Sequence, residues 1–484
     1  MPVNFNMKKT FITNLILVLT LNLSIKPFFI FAIDRKVQNI VGPQEFGVYF
    51  ALFGFSFIFN VLLDLGITNF NNRNIAQNTH LLSKHFSRMV ILKLALGVLY
   101  LGICLMAGLA WGYDARRMKL LLILCFMQFL ISFIAYLRSN ISGMHLFKTD
   151  SVLSAMDRMI AIAICAPFLW GHFFPPIDIM DYVYIQTAAY FSVAVIAFII
   201  VVRKAGFIKF TWNRTFSMMI LKKSFPFALL GMIMSFYNRI DGSMLERLIH
   251  DNGAQAGIYA QAFRFLDATN MIAVLSAGLL LPMFARMLKT GESVESMVKT
   301  AYTLLFALAI VVACGCAFYS GNMMKMLYKS DVSETSVIFP ILMCCFMGSA
   351  TQYVFGTLLT ANGSLKYLNI IAGCGFVANI TLNLILIPRY QAVGAAIASL
   401  TTQLLVPAIQ VFVVRKMFDF KTIPKMMFTL LLFAVGVFAI AYSSTRLPFN
   451  WIISFAAMIA ACGLWALATG VVNIKSLLKM VKVG

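Results

Sequence analysis

Residues 88–142 read RMVILKLALGVLYLGICLMAGLAWGYDARRMKLLLILCFMQFLISFIAYLRSNIS. Two apolar runs, each long enough for a membrane-crossing helix of about 20 residues, flank the short polar stretch GYDARRMK at 112–119. A backbone in hydrocarbon has no water to bond, so each run must be a helix that satisfies its own amides. The stretch is therefore a helical hairpin through a bilayer.

Working outward, the same pattern of run and break recurs along the whole chain. Further runs lie at 10–33, 45–69, 150–171, 181–202, 223–246, 256–285, 296–319, 335–360, 365–387, 391–414, 425–444 and 449–470, fourteen in all. The 484 residues are 61% hydrophobic and 12% charged, where soluble domains run near one half and one quarter. Little chain remains for a soluble domain, and the class expected is all-α and integral to a membrane. The run at 256–285 is long and ends at Pro282, which predicts a tilt or break there. No small-residue cleavage site follows the first run, so it reads as a retained span rather than a signal peptide. All nine cysteines fall within apolar runs, as small packing residues do. Neither a disulfide framework nor a metal site is expected from that pattern.

The net charge of +22 comes without a nucleic-acid-binding motif, and no nucleic-acid partner is expected. The basic residues sort by side instead. With the amino terminus inside, 23 of the 39 fall on inner connections and termini, among them Lys8, Lys9, Arg73, Lys84, Arg88, Lys475, Lys479 and Lys482. Ten fall outside and six within spans. That asymmetry places both termini in the cytoplasm, against a face of anionic lipid. Outer Arg116, Arg117 and Lys119 run against it.

The basic connection at 203–222 divides the chain near its middle. Gly47-Val48-Tyr49 follows Lys36 at 11 residues, and Gly257-Ile258-Tyr259 follows Glu246 at 11. Six spans per half make parallel repeats with a cavity between two lobes. The lobes expected are 1–215 and 216–424, with 425–484 adding two spans and a basic tail.

Ionised side chains within spans are costly and therefore informative. Lys93 sits about one turn from the cytoplasmic end and is expected to snorkel to the lipid surface. Arg138 and Arg158 lie two to three turns from that surface, suited either to pairing, with Asp157 for one, or to an inner cavity mouth. Lys26, Arg239 and Arg264 are deeper. Asn22 shares a helical face with Lys26, which precedes Pro27. Gln261, Arg264 and Asp267 form one polar stripe; Ser56, Asn60 and Asp64 another; Asn379 and Asn383 a third. Interhelical bonds that only hold the bundle account for such stripes, and so does a functional lining. A wet cavity with deep Lys and Arg suits an anionic, polar cargo such as a phosphate. Asp64, Asp241 and Asp267 could titrate or hold a coupling cation.

Residues 40–76, IVGPQEFGVYFALFGFSFIFNVLLDLGITNFNNRNIA, and 361–399, ANGSLKYLNIIAGCGFVANITLNLILIPRYQAVGAAIAS, resemble the signatures of the polysaccharide-exporter family. These are the Wzx-type O-antigen and capsule flippases of the multidrug/oligosaccharidyl-lipid/polysaccharide (MOP) exporter superfamily. The resemblance implies fourteen helices in two pseudo-symmetric six-helix lobes plus two carboxy-terminal helices. It implies a flippase of the bacterial cytoplasmic membrane that moves an undecaprenyl-diphosphate-linked oligosaccharide to the periplasmic leaflet by alternating access. Lys26, Arg239 and Arg264 would meet the diphosphate, and Asn22, Asn60, Gln261, Asn379 and Asn383 the sugars. No cofactor is implied beyond a coupling proton or sodium ion; polysaccharide polymerase and assembly proteins are the protein partners. A lipid II-type flippase shares these features. A multidrug exporter fits a cationic lumen poorly. A membrane glycosyltransferase or polymerase would need an extended outer loop, and the longest outer connection is under about twenty residues.

Overall fold

The computed structural model describes residues 20–471 except 23, 69–70, 72–74, 76–80, 145, 172–174, 206–213 and 421–422. Arg73, Lys209 and the basic residues of both termini therefore lie outside the described residues. The described residues are helical with no strand, and eleven of their helices are long and apolar enough to cross a membrane. Two compact units divide after Gly257.

In the first unit, the described residues are already helical at Thr20, and the helix passes Pro27. Proline has no amide to donate, and a π-turn follows over Phe29–Asp34, with the Arg35 N–H reaching back to the Ile30 carbonyl. The helix thus runs on past the end of the apolar run at 33. It continues into α1, Arg35–Ile58, which breaks at Gly42 (φ 81°, ψ 170°) and resumes at Pro43. Proline suits a first helical position, and the residue before it is steered away from helix. After a 3-10 turn at Phe59–Leu63, Leu65 and Gly66 take positive φ and end the span. Four helices follow: α2 (Leu81–Trp111), α3 (Ala115–Gly143), α4 (Phe147–Trp170) and α5 (Ile179–Ala205). Asp114 caps α3, accepting from the Arg117 amide at 3.0 Å. Helix α6 (Arg214–Leu248) packs along α1, while α5 lies against α3 and α4.

Two glycines set how closely α1 approaches the residues after α6. A Cβ on Gly47 would overlap the Gly253 carbonyl oxygen and stand 2.5 Å from the Gly257 nitrogen. One on Gly257 would overlap the Pro43 carbonyl oxygen, with its carbon at 2.6 Å. The contact is reciprocal: each glycine meets the oxygen four residues before the other. These are the two glycines of the Gly–x–Tyr echo.

The second unit contains most of α7 (Ala254–Thr290), then α8 (Glu295–Phe318), the short α9 (Ser320–Leu327), α10 (Val332–Ala361), α11 (Leu365–Phe418), α12 (Ile423–Ser444) and α13 (Trp451–Ala468). Helix α7 continues through Pro282 to Thr290 over 37 residues. Of the tilt or break expected there, no break occurs, and at 1.5 Å per residue the helix is about 55 Å long, enough to tilt or to leave the membrane. Helix α11 instead breaks at Gln391 (φ 51°, ψ −131°), between the expected spans. Helix α10 packs on α8 and α11, and α12 on α8 and α13. The Trp465 indole donates to the Phe433 carbonyl at 3.3 Å and holds the last two helices together. Phe428, Leu431, Leu432, Val435 and Phe438 stay exposed on α12, the surface a bilayer covers.

Candidate functional site

In the first unit, three in-span cations lie on or near the helix that contains Thr20 and Pro27. Asn22 Nδ2 donates to Ser154 Oγ at 2.9 Å, which fixes this helix against α4. One turn on, half-buried Lys26 feels the charges of Asp157, Arg158 and Arg138. The guanidinium of Arg158 lies 4.5 Å over the Phe29 ring. It pairs with Asp157 at 3.4 Å and donates to Tyr190 Oη at 2.7 Å and Gln186 Oε1 at 3.2 Å. Gln186 passes the chain on to Tyr49 Oη at 3.2 Å. Arg138 pairs with Asp150 at 2.7 Å. Each arginine therefore has its own carboxylate. Lys26 has no hydrogen bond or ion pair to any described residue, so its ammonium has donors left to offer.

The charges of Arg138 and Arg158, which the sequence reading kept apart from Lys26 as inner mouth and deep lining, thus reach it. Arg239 sits elsewhere in this unit, on α6, 5.3 Å over the Phe57 ring, with Asp241 buried two residues on. Asn60 donates to Gln128 Oε1 at 2.6 Å. Asp64 is ion-paired with Lys93. That pair overturns the snorkelling expected of Lys93, whose side chain is 1% exposed. The break after α1 brings carbonyl and carboxylate oxygens to the ammonium, a better partner than distant headgroups.

In the second unit, Gln261 is buried, accepting from Thr335 Oγ1 at 2.7 Å. Arg264 and Asp267 pair with each other at 3.8 Å. Asn383 donates to Asn379 at 3.1 Å, both fully buried.

Sequence reading missed Tyr49, Gln186 and Tyr190, because the polar tip of a tyrosine or glutamine in an apolar run carries no charge signal. It also missed Asp34, which is 3% exposed and accepts from Tyr182 Oη at 2.7 Å. Asp34 falls one residue past the assumed end of the first run. Pro27 was the available sign that the helix there is irregular and runs on.

A second polar cluster forms around the basic connection that runs against the side rule. Arg116 pairs with Glu45 at 2.8 Å, and Arg117 Nε with Glu246 Oε1 at 2.9 Å. They border a cavity of about 290 Å³ lined by Gln44, Glu45, Asp114, Arg116, Arg117 and Asn252, among others. Each of these two bases thus has its own carboxylate. Nearby Tyr113 is pushed well above the usual phenol range, by burial first and the Glu246 charge second. Glu246 has a side chain only 4% exposed. Glu246→Gln is expected to cost about 3 kcal/mol, the usual price of breaking a buried pair. Thermal unfolding in detergent would show the drop, and an unchanged melting temperature would contradict it.

Residues 12–288 match the model of a family described as "Polysaccharide biosynthesis protein". The chain belongs to that family. No curated protein matches it in sequence. Among solved structures it resembles the lipid II flippase MurJ in an inward closed conformation, at 16% identity, over 92% of this chain and 97% of that one, with a TM-score of 0.68. It also resembles an inward-facing multidrug resistance MATE family transporter of the MOP superfamily, at 13% identity over 81% and 94%, TM-score 0.64. A third is a MOP superfamily transporter from Pyrococcus furiosus, at 13% identity over 84% and 95%, TM-score 0.61. At these identities the likeness is one of fold. The chain is a multi-pass membrane protein with the fold of MOP transporters.

Proposed function

We propose that the chain is a flippase that moves an undecaprenyl-diphosphate-linked oligosaccharide from the cytoplasmic to the periplasmic leaflet of a bacterial inner membrane, by alternating access. The observation that carries this reading is Lys26: a deep ammonium without a hydrogen-bond partner among the described residues, beside two arginines that already hold carboxylates. A diphosphate supplies the acceptor oxygens that Lys26 lacks, and Asn22, Gln186 and the tyrosines offer polar contacts to sugars. An organic-cation exporter would be poorly served by this charge.

In this reading both termini are cytoplasmic and the spans number fourteen, with connections at the Gly42 and Gln391 breaks. Lobes of 1–215 and 216–424 then carry transport, and Arg239 in the first unit and Arg264 in the second are each further cations suited to an anionic cargo. Asp241 and Asp267 are the carboxylates for a coupling proton or sodium ion. A polymerase takes the product on the far side.

The test is reconstitution into liposomes with a fluorescent undecaprenyl-diphosphate sugar, followed between leaflets. Faster exchange than in empty liposomes is expected, and equal rates would sink the proposal. Lipid II supplied in parallel separates repeat-unit export from cell-wall precursor export.

A further inference from the structure

The break after α1 contains a fully coordinated cation that belongs to the chain itself. Lys93, on α2, enters it with a side chain only 1% exposed. Its Nζ donates to the Leu63 carbonyl at 2.9 Å, to Ser132 Oγ on α3 at 3.1 Å, and to the Asp64 carboxylate. These use all three ammonium protons. The oxygens are braced in turn: Ser132 Oγ donates to the Leu63 carbonyl at 3.2 Å. Thr68 donates to Asp64 through both hydroxyl and amide. The Tyr136 ring closes one side, its centroid 6.0 Å away.

A carbonyl, a carboxylate and a hydroxyl converging at the end of an interrupted helix form the donor set that hard cations take. Unwound carbonyls in broken membrane helices bind coupling ions in other transporter folds. Here the 3-10 turn over Phe59–Leu63 and the positive φ of Leu65 and Gly66 expose those oxygens, and an alkali ion has no room beside Nζ.

We propose that the break after α1 is a monovalent-cation site that the chain fills with its own Lys93 ammonium, in place of a free Na+ or K+. The tethered cation holds the joint whatever ions surround the protein, and Asp64 serves as its anchor.

The test removes the tether and returns the cation. Purified full-length Lys93→Ala is melted at fixed ionic strength in chloride salts of choline, sodium, potassium and n-propylammonium, the last matching the deleted stem and head. In choline, which has no N–H and is too bulky for the site, the variant is expected to melt about 5 °C below the wild type. Propylammonium and at least one alkali ion should recover half or more of that loss, while the wild type melts alike in all four salts. The double variant Asp64→Asn/Lys93→Ala should not respond, because its carboxylate is gone. Should Lys93→Ala yield no folded protein in choline, the yield from membranes extracted in propylammonium becomes the readout, and recovery there supports the proposal. It is overturned if the variant melts like the wild type in choline, if no cation restores stability or yield, or if the double variant responds equally. None of these readouts depends on which lipid the protein flips.

Discussion

Gly257→Ala is expected to remove most of the folded protein, although alanine favours helix over glycine by about 1 kcal/mol. The added methyl would overlap the Pro43 carbonyl oxygen and lie 2.6 Å from its carbon. Overpacking a side-chain core costs about 1–3 kcal/mol because side chains can move aside. At this contact both partners are backbone: Pro43 has just restarted α1, and Gly257 opens α7. Gly47→Ala should act alike, since its methyl would overlap the Gly253 oxygen. The expected cost exceeds about 3 kcal/mol, a large fraction of a typical 5–15 kcal/mol stability. Monodisperse yield after detergent extraction should fall at least tenfold for either variant. Gly102→Ala and Gly373→Ala, where a Cβ meets nothing within 4 Å, should extract like the wild type. Wild-type yield from Gly257→Ala would show that the close approach is not rigid.

Lys26→Ala should separate activity from stability. Its ammonium makes no hydrogen bond or ion pair to a described residue, and its desolvation at depth is set only against the more distant Asp157 charge. Removing it should leave the melting temperature unchanged or raise it. Flipping, by contrast, should fall by about 10- to 100-fold, the equivalent of one charge-assisted hydrogen bond of 1.5–3 kcal/mol to the anion. Lys26→Arg should keep most of the rate. Arg158→Ala offers the contrast: it strips bonds to Asp157, Gln186 and Tyr190 and should lower stability and flipping together. Wild-type flipping by Lys26→Ala in the reconstituted assay would retire Lys26 as a binding residue.

Much of the candidate site was visible before any coordinates. Asn22 and Lys26 at one-turn spacing, and Arg158 beside Asp157, could be picked out because charge in an apolar run stands out against its background. Their joining could not. The Arg138 and Arg158 charges reach Lys26 where the Asn22–Ser154 bond and the Arg158–Phe29 contact dock the first helix on α4. The Asn22–Ser154 bond spans 132 residues, and no local pattern encodes it. Lys93 shows the limit most clearly. Its distance from the helix end suggested a lipid anchor, whereas the partner that captures it is the broken end of another span.

The sequence by itself determined the class of protein and the approximate limits of its spans. Each depends on the cost of moving one residue or one short run from water to lipid, and that cost is local and additive. The tertiary structure alone decided which charges are spent on each other and which remain. It paired Arg117 with Glu246 and Lys93 with Asp64, placed two echoed glycines back to back, and left Lys26 without a hydrogen-bond partner among the described residues. Pairing energy rises steeply as separation falls and the dielectric drops, so it is settled by packing between helices distant in the chain.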